Sequence, residues 1–352
     1  MFSSLISRRR FLLLPVAALL VMGFLVSSGP TFTGRAEAAT AYAPSHTFAA
    51  VKKRAAMPAN TWQKSTIRSK SQRNWYRVDF KSRGYLYALL GNLPTNYNLG
   101  LYDASGKKLN ASNSSGTSPE KIGRMLNKGS YYLVVASPKG YSKTKSYDLM
   151  ARVVPESQTI GVLTQRMSRN FESSVIGELV NVSNEWHSVP VLDVSLYDAQ
   201  GKLLKTYKEK FNGTWVLMAP GSRAPFTVWP EASAAVLKKT ASAKVKPSWG
   251  TRSALSPAKL KVSAVKKTSS SYHGITTVEW SGKVTNNSSR KVPYITVAVE
   301  ARDKRGVLVG ADFSWGDLPL AAGKTRKFET TYSNWHSGLT YSAHPYEFVR
   351  ES

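Results

Sequence analysis

The residue types that do chemistry are present, but their spacing builds no familiar catalytic or metal centre. The five histidines, His46, His187, His273, His336 and His344, are scattered, and no His-Glu-x-x-His occurs among them. No Gly-x-Ser-x-Gly presents a nucleophilic serine. Gly323-Lys324-Thr325 has the ending of a phosphate loop, yet Leu318 stands where the first glycine of such a loop belongs, and the segment reads as a turn between strands. There is no cysteine, which excludes disulfides, thiolate metal sites and cysteine nucleophiles. Asp103, Asp198 and Asp303 each stand three residues before a glycine, the pattern of a turn that caps itself through its side chain. The chain is therefore expected not to be an enzyme, and no catalytic residue, metal or cofactor is assigned.

Binding chemistry is better represented. Tyr141, Trp186, Trp249 and Trp335 fall outside the clear strand alternation, and two of them precede a histidine, His187 and His336. Lysines cluster at Lys238-Lys239 and Lys266-Lys267, as well as at Lys52-Lys53, from Lys64 to Arg73 and at Lys107-Lys108. Exposed rings beside cations suit sugar faces or anionic polymers. The same rings, each burying a large apolar area, would equally suit the ends of β-sandwiches. The aromatic residues and their histidines, with Lys238, Lys239, Lys266 and Lys267, form the candidate ligand surface. The whole chain carries 49 Lys+Arg against 21 Asp+Glu, a net charge of +28. Such a surface attracts polyanions and responds to salt.

The elements that would carry these residues are strands. Of 352 residues, 42% are hydrophobic, 11% aromatic and only 20% charged, a globular composition whose Tyr, Trp, Val and Thr favour sheet. The turns Leu196-Tyr197-Asp198-Ala199-Gln200-Gly201, Leu101-Tyr102-Asp103-Ala104-Ser105-Gly106 and Arg302-Asp303-Lys304-Arg305-Gly306 share one design, about a hundred residues apart. They imply an all-β chain of three β-sandwich modules in series. The latter two are copies at a period of roughly 105 residues. Gly177-Glu178-Leu179-Val180-Asn181 answers Gly282-Lys283-Val284-Thr285-Asn286, and Pro220-Gly221 before Phe226 answers Ala322-Gly323 before Phe328. Asn181 and Asn286 are expected to satisfy loop backbone. Each copy is expected to open with a strand, Thr159 to Thr164 and Leu260 to Val265, and to close with another, Lys238 to Val245 and Leu339 to Phe348.

At the N-terminus, Arg8-Arg9-Arg10 precede an apolar run that Gly29-Pro30 ends, and Ala36-Glu37-Ala38 offers a cleavage position. This is the pattern of a signal peptide over residues 1–38. Its Ser-Arg-Arg-x-Phe-Leu resembles the twin-arginine export motif; a Sec signal with an extra arginine reads equally well. No anchor is expected after cleavage, and removal of the leader leaves a net +25. The remaining boundaries are a linker over 39–61, sandwiches over 62–155 and 157–247, a linker over 248–257 and a sandwich over 258–352.

Trp75-Tyr76-x-Val78-x-Phe80, Tyr97-x-Leu99-x-Leu101-Tyr102-Asp103-x-x-Gly106 and Leu126-x-x-Gly129-x-Tyr131-Tyr132-x-x-Val135 resemble the bacterial pre-peptidase C-terminal (PPC) domain, a jelly-roll-like sandwich. The resemblance implies binding of carbohydrate, protein or collagen, and calcium near the N-terminal edge; here that edge, Gln63 to Lys70, has no carboxylate to ligate it. Val194-Ser195-Leu196-Tyr197-Asp198, with the Val-Pro step at Val189-Pro190, resembles the FxLYD domain, an immunoglobulin-like adaptor with no catalytic residues; the second copy departs from the motif. Together these readings predict an exported, non-enzymatic bacterial protein, secreted or wall-associated, whose partner is an anionic cell-wall polymer or polysaccharide. The alternative partner is a secreted enzyme bound through protein contacts. Nucleic acid is not expected, since no reader motif accompanies the charge.

Overall fold

Residues 73–80 show how this sequence makes its strands. Asn74, Tyr76, Val78 and Phe80 turn inward while Arg73 and Asp79 face solvent, the period-two alternation of a sheet with one wet face. The computed structural model describes residues 42–168, 173–210, 214–252, 258–272, 275–314, 319–330 and 338–350. The leader expected over residues 1–38 lies outside them.

The first module pairs two four-stranded sheets. Its strands are β1 (Trp62–Ile67), β2 (Arg73–Phe80), β3 (Gly84–Gly91), β4 (Asn96–Tyr102), β5 (Lys108–Ser112), β6 (Glu120–Leu126), β7 (Gly129–Lys139) and β8 (Ser142–Pro155). One sheet runs β1-β8-β3-β6 and the other β2-β7-β4-β5. Between them lies a core of Tyr76, Leu86, Leu90, Leu99, Leu133 and Leu149, among others. The segment expected as a linker is part of this module. Ser45 bridges to Trp75, helix α1 (Phe48–Lys52) buries Val51, and Met57 enters the core. Phe48 supplies the reason, packing its ring 5.1 Å from Trp75 and 5.0 Å from Tyr132.

The second module comprises β9 (Ile160–Ser168), β10 (Ser174–Asn181), β11 (Trp186–Tyr197), β12 (Leu203–Lys210), β13 (Thr214–Met218), β14 (Arg223–Val228) and β15 (Ser242–Arg252). The third comprises β16 (Leu260–Tyr272), β17 (Ile275–Asn286), β18 (Tyr294–Arg302), β19 (Leu308–Ser314), β20 (Thr325–Glu329) and β21 (Thr340–Arg350). Each has a three-stranded sheet, β14-β10-β9 and β16-β17-β20. The facing sheets are joined: β13 pairs with β21 from Thr214↔Arg350 to Val216↔Phe348, making one seven-stranded sheet that runs through both modules. Two local expectations change. Lys238-Lys239 close a helix, α2 (Ala234–Lys239), capped by Ser233, and the strand begins only at Ser242. The proposed linker from 248 is strand as far as Arg252; residues 253–257 lie outside the described ones.

The two copies are built on the same asparagine. Asn181 Nδ2 donates to Glu185 O (2.7 Å) and Met218 O (2.9 Å), while its Oδ1 accepts from Ser183 N at 3.0 Å. Asn286 repeats this with Arg290 O (2.8 Å), Leu320 O (2.9 Å) and Ser288 N (3.0 Å). Each buried amide thus satisfies loop backbone that would otherwise be left unpaired, a loss of about 1–3 kcal/mol per group. In each copy a phenylalanine ring from the paired strand lies over a glycine, Phe226 on Gly177 and Phe328 on Gly282, where a side chain would collide with it.

All three predicted turns form. Asp103, Asp198 and Asp303 accept through Oδ1 from the backbone two and four residues on, at 2.8–3.1 Å, and Gly106, Gly201 and Gly306 take φ values of +89°, +83° and +81°. A register shift precedes each aspartate. The third turn is packed against the first module. Asn92 N donates to Lys304 O at 2.8 Å, and Gly91 lets the turn come so close that a Cβ there would sit 2.3 Å from the Arg305 Cα. A core shared by the modules results, with Trp62, Tyr85, Tyr87, Leu89 and Val154 from the first, Leu163, Val180 and Val182 from the second, and Val307 at its margin from the third. Each such fully buried side chain contributes about 1.5–3 kcal/mol. This explains why β3 is buried on both faces.

Candidate functional site

At this three-module junction charged side chains converge. On β10 the inward face takes Val175 and Leu179 into the second module's core, so Glu178 points the other way, toward the first and third modules. On β18 the same alternation places Glu300 and Arg302 together, and the docked turn carries Arg302 to Glu178. Arg302 Nη2 donates to Glu178 Oε1 at 2.6 Å and Nη1 to Oε2 at 3.0 Å, a two-pronged pair between modules. Nη2 also donates to Glu300, and Nη1 to Gly306 O at 3.1 Å. From β3, Tyr87 donates to Glu178 Oε2 at 3.1 Å; from β14, Arg223 reaches Oε1 at 3.3 Å and stacks over the Tyr87 ring at 5.3 Å. Tyr346 on β21 donates to Glu300 Oε1 at 2.7 Å.

The electrostatics follow from burial. Desolvation alone would raise the Glu178 carboxyl, but the charge and hydrogen bonds of Arg302, with Arg223, bring it down to about 2. Burial raises Tyr87 and Tyr346, and the neighbouring carboxylates add to the effect. Lys121, half-buried on β6, is lowered to about 8 by burial and by the positive charges of Arg223 and Arg302. A carboxylate ionised down to pH of about 2 accepts hydrogen bonds and gives no proton near neutrality, so Glu178 is fitted to hold structure or ligand rather than to act as a general acid. Beside this lock lies a cleft of about 310 Å³, walled by Ser222 and Arg223 from the second module and by Glu300, His344 and Tyr346 from the third. Among the described residues no group of three or more His, Asp or Glu side chains is placed to hold a metal ion.

The residues chosen from sequence are not brought together here. Tyr141 (45% exposed) sits between β7 and β8, and Trp249 (41% exposed) near the end of β15. Trp186 is half-buried at the start of β11. His187 is a correction: it is 3% exposed, and Nε2 lies 2.9 Å from Ser183 Oγ, so it is not part of a ligand surface. It sits inside β11, beyond the strand alternation that the sequence makes clear. Lys238 and Lys239 are exposed at the end of α2. Lys266 is exposed on β16, and Lys267 lies over the rings of Tyr341 (4.9 Å) and Trp280 (5.8 Å), a pairing the sequence reading did not propose. Trp335 and His336 lie outside the described residues. Trp229, 54% exposed, was not singled out. The junction was missed altogether, although Glu178 interrupting an apolar strand, and Glu300-Ala301-Arg302 ending another, were signals that could have found it.

The charge that motivated the sequence reading is segregated. Every lysine whose side chain the structure describes is exposed, Lys121 excepted. Glu120, Asp148, Glu178, Glu300 and Glu347 are buried, and among the described residues only Asp79, Glu185, Glu231, Glu279 and Glu329 are exposed acids. No described helix is long and apolar enough to cross a membrane.

No protein-family model matches the chain, and no curated protein matches it. Solved structures give distant likenesses. A β-glucuronidase of Bacteroides uniformis is 14% identical at a TM-score of 0.26, over 70% of this chain and 26% of that one. A β-glucuronidase from glycoside hydrolase family 2 is 11% identical at 0.28, over 71% and 24%. A DUF4785 family protein from Legionella pneumophila is 11% identical at 0.19, over 93% and 89%. The chain spans about a quarter of the length of the glucuronidases it aligns with. At these TM-scores the likenesses carry no functional argument.

Proposed function

We propose that this is an exported, non-enzymatic bacterial protein that associates electrostatically with an anionic envelope polymer or polysaccharide, its PPC-like and FxLYD-like modules presenting one continuous basic exterior. The observation that carries this reading is the segregation of charge. With five carboxylates buried and nearly all lysines exposed, the exterior is more basic than composition alone implies. A rigid arrangement supports it further: the shared sheet and the docked third turn hold the lysines of three modules in fixed relation, so that many weak contacts to one polymer add.

The test is retention of the chain from Ala39 on purified cell walls, with and without teichoic acid, across a salt series. Retention that requires the anionic polymer and falls steeply with salt is the expected result. Failure to bind walls at low salt would overturn the reading.

A further inference from the structure

We propose that the cleft at the module junction is a binding site for one neutral sugar ring, a pyranose whose adjacent hydroxyls bridge Arg223 of the second module and Glu300 of the third. The inference rests on the electrostatic reading for the polysaccharide nature of the partner, and adds a saturable site that does not depend on charge to a diffuse basic surface.

Four observations support it. The first is charge balance. Of the residues lining the cleft, Glu178 pairs with Arg223, and Glu300 pairs with Arg302 behind the wall, so two carboxylates meet two guanidinium groups. An ion of either sign would lose hydration there without gaining an uncompensated counter-charge, a penalty that a neutral ligand escapes. The second is unused hydrogen-bonding capacity on walls from two modules. Arg223, 28% exposed, donates through Nη1, to Glu178 at 3.3 Å and to Tyr87 at 3.4 Å, while its Nε and Nη2 make no hydrogen bond among the described residues. Glu300 accepts once at each oxygen, from Tyr346 at Oε1 and from Arg302 at Oε2, which leaves about half of a carboxylate's acceptor positions unused. A guanidinium only donates and a carboxylate only accepts, whereas a hydroxyl does both, so a pair of adjacent hydroxyls is the group that satisfies the two together. The third is fixed geometry. Glu178 Oε1 holds both Arg223 and Arg302, and Arg302 Nη2 in turn holds Glu300, so donor and acceptor are in place before the ligand arrives. The fourth is room and surface. The volume of about 310 Å³ lies at the lower end of small-molecule sites, about 300–1,000 Å³, and Pro345 and Tyr346 supply apolar atoms for the C–H face of a ring.

The experiment is calorimetric titration of the chain from Ala39 with methyl glucoside, methyl galactoside and methyl mannoside, each at low and at high salt. Saturable one-to-one binding of at least one glycoside is expected, with an affinity that salt leaves unchanged; the preferred glycoside identifies the hydroxyl pair. Glycerol phosphate, an anion without a ring, should bind more weakly. Exposed His344, at the cleft, bonds only to Ser342 among the described residues, so His344→Trp fills the space without touching the ion cluster and should abolish binding. Arg223→Lys keeps a charge beside Glu178 but loses the free donors, and should weaken binding about tenfold. Melting temperature should change little in either variant, and Lys267→Gln, on β16, should leave binding unaltered. No saturable binding of any of the three glycosides, tighter binding of glycerol phosphate, or binding unaltered by both His344→Trp and Arg223→Lys would overturn the site. Wall retention separates the two readings. Walls retained with no glycoside bound sinks the site alone, and a bound glycoside without wall retention sinks the electrostatic reading alone.

Discussion

The turns at Asp198 and Asp303 have the same local construction and opposite surroundings. Both aspartates accept from the backbone two and four residues on, and both end on a glycine near φ +82°. The first stands free, with nothing within 4 Å of the position a Cβ on Gly201 would take. The second is pressed into the first module, where Arg305 donates to Asp148 Oδ2 at 2.7 Å and lies 5.1 Å over the Trp62 ring. Even the residue before the aspartate differs in kind. It is Tyr197, half-buried under Lys244, in one turn, and Arg302, buried against Glu178 and Glu300, in the other. A turn is made by a few neighbouring residues, whereas docking is made by residues more than a hundred positions away.

The largest way to sharpen the contrast is to remove the same position from each turn. Arg302→Leu leaves buried Glu300 without an ion pair and Glu178 with the longer Arg223 contact alone, and should cost about 3–5 kcal/mol in urea unfolding. Tyr197→Leu, which removes a partly exposed ring, should cost under about 1 kcal/mol. Equal effects would mean that the apolar junction core, not the ion cluster, holds the modules together.

A second, smaller test uses acid. Glu178 titrates near 4.5 when unfolded and about 2 in the folded chain, so its contribution is present above pH 4.5 and is lost as pH falls toward 2. Glu178→Gln keeps the shape and removes this titration. The variant should be less stable at neutral pH, and its loss of stability between pH 4.5 and 2 should be shallower than in the parent chain. Parallel curves would show that Arg302 does not hold Glu178 as the geometry implies.

What could be read from the sequence divides along the same line. The turns, the strand alternation of residues 73–80 and the repeat around Asn181 and Asn286 depend on residues close in sequence, and each was legible. The junction was not, although its trace is there: Tyr85 to Leu90 is apolar at every position, the mark of a strand covered on both sides. Read only for its strand character, that run hides the second covering layer. Helix α2 reads as strand from the sequence because Lys238 adjoins one, even though Ser233 before Ala234-Ala235 is an N-cap pattern. His187 was misplaced for a different reason. The irregularity between Ser188 and Val191 breaks the alternation that would have put it inside a strand. The residues of the junction cluster come from three modules, and no local pattern joins Tyr87 to Glu178 and Arg302.

The smallest predicted effect is also the cleanest comparison of the two turns. Gly201→Ala and Gly306→Ala impose the same backbone strain, about 1 kcal/mol for a left-handed alanine. At Gly201 the methyl enters open space, so strain should be the whole cost. At Gly306 it would meet Pro119 Cβ at 3.0 Å and Leu89 Cδ2 at 3.6 Å, so the turn must also lift from the first module, adding about 1–3 kcal/mol. The excess should vanish when Arg302 is already leucine, because an undocked turn has nothing left to collide with. An excess that persists in the double variant would place its origin within the turn itself, and the distinction between local construction and docking would fail at the position where it is sharpest.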